Sequence, residues 1–216
     1  QDRVASPSAY YYYQMGLLQI EEGAYEEAVA SYRTAVQIDD QSAFLRLELA
    51  RLLINGQLWA EAEQEIQAAL TIDPENSAAL MLLGAIYAAQ ERYEEAITAY
   101  INALQRHPEN PDAYLFLASL YERQKNLPSA LETLQKLLEL EPNSVSALYH
   151  LGRIYAELKE YENATEMFER AASIQPDDFQ IYTALVLVYE IQQEYEKAIT
   201  TYELMLNLDP NNVRVL

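Results

Sequence analysis

Residues 77–110 read SAALMLLGAIYAAQERYEEAITAYINALQRHPEN, and this stretch decides the fold. Its first half sets Leu80, Leu83, Gly84 and Tyr87 at i, i+3, i+4 and i+7, which is one face of a helix. Its second half sets Tyr93, Ala96, Ile97, Tyr100, Ala103 and Leu104 at helical spacing again. The polar break Gln90-Glu91-Arg92 between them is too short for anything but an antiparallel hairpin. Pro108 ends the second helix, because proline disfavours α geometry in the residue before it and has no N–H. Asn110 then reads as an N-cap, with Pro111 in the first helical position of the next unit.

The same hairpin recurs along the chain. Pro74, Pro108, Pro142, Pro176 and Pro210 are each 34 residues apart, and Asp40 holds the place one period earlier. Ala28, Ala62, Ala96, Ala130, Ala164 and Ala198 keep the same period, as do Gly16, Ala50, Gly84, Ala118, Gly152 and Val186. A hairpin cannot bury its apolar face alone, so its neighbours must stack on it. The expectation is an all-α fold, an α-solenoid of six antiparallel helix-turn-helix repeats: 9–42, 43–76, 77–110, 111–144, 145–178 and 179–212. Residues 1–8 are an N-terminal extension, and 213–216 begin a further, truncated helix. Gly84 and Ala96 should lie where the helices of a hairpin cross, and Ala35, Ala69, Ala103 and Ala171 where hairpins meet. Leu137, Val186 and Met205 break that pattern, so the fourth and sixth units should pack differently.

This pattern resembles the tetratricopeptide repeat, a 34-residue unit. The resemblance rests on Leu80, Leu83, Gly84, Tyr87, Ala96, Tyr100, Ala103 and Pro108 in the third unit. Leu148, Leu151, Gly152, Tyr155, Ala164, Phe168, Ala171 and Pro176 carry it in the fifth. It weakens at Arg46 and Leu53 in the second unit and at Gln19 in the first. The resemblance implies a right-handed superhelix whose first helices line a concave groove. It also implies a partner, protein or peptide, held in that groove, and no catalysis by the repeats themselves.

Family geometry puts Tyr13, Leu47, Met81, Leu115, Tyr149 and Thr183 in the groove, with Leu17, Arg51, Ala85, Ser119, Arg153 and Leu187 beside them. Such an apolar lining marks either an interaction surface or neighbouring helices buried against one another. Arg51 and Arg153 are the cations of this set. They would hold a partner carboxylate or pair with Glu48 and Glu157. The lysine and asparagine with which some family members clamp a C-terminal carboxylate are replaced here by Tyr13 and Leu17.

Fourteen of the 18 tyrosines fall on repeat framework positions and read as packing. Tyr10, Tyr11, Tyr13 and Tyr149 do not. The Tyr10–Tyr13 cluster is a contact surface or an amphipathic capping helix. Tyr10 and Tyr11 at one end, with Val213 and Leu216 at the other, are candidate end contacts through which copies would join head to tail into oligomers or filaments.

Composition narrows the function classes. Lys plus Arg is 14 and Asp plus Glu is 34, so the net charge is −20. That surface repels nucleic acid and anionic membranes, and no run is apolar enough for direct membrane insertion. The absence of cysteine removes disulfide and thiolate chemistry and favours an extracytoplasmic bacterial setting over a cytoplasmic one. The start at Gln1 reads as a processed product or a piece of something longer. His107 and His150 form no pair, and no phosphate loop or zinc cluster appears. No enzyme, cofactor or metal is expected.

Overall fold

The computed structural model describes residues 6–208, and among these every regular element is a helix. The chain forms two compact units, Gln1–Ala113 and Tyr114–Leu216. The first holds α1 (Pro7–Glu21), α2 (Tyr25–Ile38), α3 (Ala43–Asn55), α4 (Trp59–Ile72), α5 (Ser77–Ala89) and α6 (Tyr93–Arg106). Helix α7 (Pro111–Arg123) leads into the second, which continues with α8 (Leu127–Leu140), α9 (Val145–Glu157), α10 (Tyr161–Ile174), α11 (Phe179–Ile191) and α12 (Tyr195–Leu208).

Side-chain caps start most of the first helices. Ser6, Ser42 and Asn76 accept from the backbone N–H three residues on, at 3.2, 3.3 and 3.0 Å. Asn110 does the same for α7, accepting from Asp112 and Ala113. Helix α1 begins at Pro7, two residues ahead of the repeat register, because Ser6 caps it and the fixed φ of Pro7 suits a first turn.

Each hairpin turns through one left-handed residue. Gly23 has φ 77°, and Gln57, Glu91, Lys125, Lys159 and Gln193 take values from 59° to 62° at the same place in their repeats. Around it the backbone closes a Schellman motif. Arg92 N–H reaches Tyr87 C=O at 2.8 Å, and Glu91 N–H reaches Ala88 C=O at 3.1 Å. The acidic first turns of α2, α4, α6, α10 and α12 complement the helix dipole.

Within each hairpin, the glycine of the first helix receives a ring from the second. A Cβ on Gly84 would stand 2.8 Å from the Tyr100 ring, and one on Gly152 would stand 2.6 Å from Phe168. Gly16 is matched to Tyr32 in the same way. These rings are buried: Tyr32 is 3 % exposed, Tyr100 2 % and Phe168 1 %. Ala50 and Ala118 hold the glycine's place where the partner is aliphatic, Ile66 or Leu134. The sixth unit breaks the rule. Val186 fills the space itself and is buried, so its partner Tyr202 stays half-exposed, with its hydroxyl donating to Glu190 Oε1 at 3.1 Å.

Not every framework tyrosine is core. Tyr25 and Tyr195, expected to pack, are 56 % and 60 % exposed. They open the second helices of the first and last hairpins, whereas Trp59, Tyr93 and Tyr161 at the equivalent place are half-buried.

Candidate functional site

In the first unit, the expected groove positions divide. Tyr13 and Met81 are half-buried and Arg51 is exposed, but Leu47 is only 6 % exposed. Helix α3 is packed against α2, α4 and also α5, the next first helix, and Leu47 is buried within this packing. It forms floor rather than contact surface. Arg51 lies 3.4 Å from Glu48, one turn back on its own helix. Tyr13 stacks on Tyr32 at 5.4 Å between ring centroids and meets Phe44 edge-on at 5.3 Å. Tyr10 stands 6.4 Å from Tyr13. Burial, then the Glu48 carboxylate, then Tyr10 raise the Tyr13 phenol above its ordinary pKa.

In the second unit, Leu115 and Tyr149 are half-buried and Arg153 is exposed. Arg153 does not pair with Glu157. It lies 3.8 Å from Glu122 Oε2, and the other oxygen of Glu122 sits 2.7 Å from His150 Nδ1. Glu157 instead takes Lys125 at 2.9 Å. These pairs bridge one hairpin to the next, a register that spacing within a single helix does not reveal.

Tyr149 and Arg153 also line a cleft of about 700 Å³. Helix α9 supplies these two with Ala156, and α11 supplies Phe179, Thr183, Leu187 and Ile191. Tyr202 closes one wall. Two adjacent first helices thus present the residues expected to face the groove, over an apolar floor of Phe168, Val186 and Met205. Leu187 and Ile191 are 56 % and 54 % exposed. Ile191 escapes a reading by repeat position, yet it leaves a signal. The equivalent residues are Glu21, Asn55, Ala89, Arg123 and Glu157, and an isoleucine in that series has no framework role.

Val213 and Leu216 lie outside the described residues. Of the other end contacts, Tyr10 and Tyr11 are 56 % and 58 % exposed. No group of acidic, histidine or cysteine side chains suited to a metal ion occurs among the described residues, and no helix among them is long and apolar enough to cross a membrane.

Models of the tetratricopeptide repeat match residues 19–86, 59–100, 87–154 and 123–187, and a second such model matches 179–212. The chain belongs to the tetratricopeptide repeat family. No curated protein sequence matches it. Among solved structures, the C-terminal part of a tetratricopeptide repeat-containing protein from Cytophaga hutchinsonii aligns with a TM-score of 0.82 at 19 % identity. That match covers 97 % of this chain and 87 % of the other. The pilF protein of Pseudomonas aeruginosa aligns with a TM-score of 0.75 at 23 % identity, over 99 % and 97 % of the two chains. YrrB, described as a tetratricopeptide repeat protein with an unusual peptide-binding site, reaches 0.69 at 22 % identity, over 85 % and 95 %. At these identities the likeness establishes the fold, an all-α solenoid. Tetratricopeptide repeat proteins in general are non-catalytic scaffolds that bind proteins or peptides.

Proposed function

We propose that this protein is a non-catalytic scaffold, and that the cleft on α9 and α11 grips an apolar segment of a partner protein. The observation that supports this reading is the cleft itself. Leu187 and Ile191 are over half exposed although the framework does not need them there, and Tyr149 and Tyr202 offer large, stiff side chains beside them. Arg153 stands at the rim with only a loose hold on Glu122, so a partner carboxylate can recruit it. Capture by the intact chain, followed by mass spectrometry, identifies the partner. Replacing Leu187 and Ile191 together with glutamate should weaken capture at least about thirtyfold, since central apolar anchors contribute on the order of 2 kcal/mol. Both side chains already face solvent, so helicity should be retained. Undiminished capture by that variant counts against the cleft.

A second reading, self-association, is favoured by the outward face of α1. Tyr11 and Leu18 are 58 % and 55 % exposed. Their equivalents in α3, α5, α9 and α11 are Leu45, Ala79, Ala147 and Ile181, and Leu52, Ile86, Ile154 and Val188. All of these are buried at 6 % or less. On α12, Ile199 is 57 % exposed, whereas Thr165 at its place in α10 is 9 %. These are the two halves of the joint by which hairpins stack, and a second copy of the chain would bring them together. Light scattering should then show growth with concentration, halted by Tyr11→Glu with Leu18→Glu. A strict monomer at every concentration would sink this reading.

A further inference from the structure

Tyr10 and Phe44 are aromatic at a place where the repeat pattern does not require it. They share one repeat position, which holds Ala78, Asp112, Ser146 and Gln180 in the other hairpins, and they are 56 % and 54 % exposed. Each nevertheless stands beside the same ring. Tyr13 lies 6.4 Å from Tyr10 and 5.3 Å from Phe44, and is itself backed by buried Tyr32. The result is an aromatic platform across α1 and α3 in which Tyr10 and Phe44 are more than half exposed.

A carboxylate completes it. Glu48 lies one helical turn after Phe44, on the same side of α3. Its charge is close enough to raise the phenol pKa of both Tyr13 and Tyr32, although burial is the larger cause for each. Glu48 holds Arg51 through Oε1 at 3.4 Å, and Arg51 is itself half exposed. No cation other than Arg51 lies within ion-pair distance of Glu48 among the described residues.

Aromatic faces attract cations through their quadrupole, and a planar guanidinium stacks on them while keeping its N–H groups for a carboxylate. The surrounding charge acts in the same direction, because a chain of net charge −20 draws basic segments towards it. We propose that the Tyr10–Tyr13–Phe44 platform, with Glu48 at its edge, is a docking site for an arginine side chain of a basic partner segment. This site lies apart from the cleft on α9 and α11 and does not depend on it.

The test uses the full chain and three fluorescein-labelled Gly-Ser peptides, each carrying three arginines, three lysines or three glutamines. Fluorescence anisotropy is read at about 150 mM salt, where charges more than ~8 Å apart are largely screened. The arginine peptide should bind at least about tenfold tighter than the glutamine peptide, and tighter than the lysine peptide. Tyr10→Ala and Phe44→Ala should each weaken it by about two- to fivefold, the range of an exposed cation–π contact, and Glu48→Gln by a similar factor through the lost ion pair. Glu27→Gln removes the same charge from an exposed place on α2 and should leave binding unchanged. Circular dichroism checks that each variant keeps its helices. Equal binding of the arginine and glutamine peptides overturns the proposal. Equal loss from Glu48→Gln and Glu27→Gln does so too, since it would reduce the effect to bulk charge. A neutral proline-rich peptide that outcompetes the arginine peptide for the same residues would also overturn it.

Discussion

Phe168→Ala lowers the stability of the protein by about 4 kcal/mol, the usual range for deleting a buried aromatic ring. Phe168 is 1 % exposed, lies 5.7 Å from the Tyr149 ring and fills the space over Gly152. The converse change, Gly152→Ala, drives a Cβ into that ring at 2.6 Å and costs about 1–3 kcal/mol by overpacking. Combined, the two changes should not add. With the ring gone the methyl fits, and alanine is the better helix former by about 1 kcal/mol. Gly152→Ala should therefore become neutral or stabilising in the Phe168→Ala background, a coupling of about 2 kcal/mol or more. Urea unfolding of the four proteins, followed by circular dichroism, measures it. Repeat arrays need not unfold in one step, so the transition of the second unit is the one to compare. Additive effects would show that glycine and ring do not share one space.

Raising the pH above 10 unfolds the protein. Burial pushes Tyr100 up to about 12, well above the ordinary tyrosine value of about 10. Burial raises Tyr32 and Tyr189 as well, helped at Tyr189 by its hydrogen bond to Glu169 at 2.7 Å. A raised phenol pKa means that the folded state favours the neutral form. Its contribution is complete below the unfolded value near 10 and drains away as pH rises through the folded value. For Tyr100 alone, a shift of about two pH units corresponds to about 3 kcal/mol lost between roughly pH 10 and 12. The three rings together, with a net charge already at −20, should be enough to melt the hairpins that hold them. Helix signal and tyrosinate absorbance should change together in a cooperative step, and Tyr100→Phe should move that step to higher pH. A gradual tyrosinate titration near pH 10 with intact helix signal would refute the argument.

What the sequence made legible was whatever depends on position within one repeat. The all-α hairpin architecture was readable from the 34-residue period, and Gly84, expected where the two helices cross, does meet the second helix there, at Tyr100. What it hid depends on which neighbour stands beside a position. Leu47 and Tyr149 occupy equivalent places, yet one is floor and the other lines a cleft. Tyr25 and Tyr195 match the framework and still face solvent. Arg153 lies by Glu122, on a helix one repeat away, while Glu157 is taken by Lys125. The irregularity of Val186 was visible, but its effect on Tyr202 was not, since that needs the volume on both sides of the hairpin. Ile191 carried a signal only when set against its five counterparts.

The left-handed turn residue has a consequence beyond geometry. Every described hairpin closes with the same motif at the same place, so a whole hairpin can be duplicated, lost or exchanged during inheritance without disturbing how its neighbours fold. Regularity of that kind leaves selection free to act on the exceptions. In this chain the exceptions are a valine where glycine or alanine otherwise stands, an isoleucine among alanine and polar residues, and two aromatic rings on a surface that elsewhere carries small or polar side chains. The isoleucine and the two rings face solvent, so a change there alters the surface without touching how the hairpins are built.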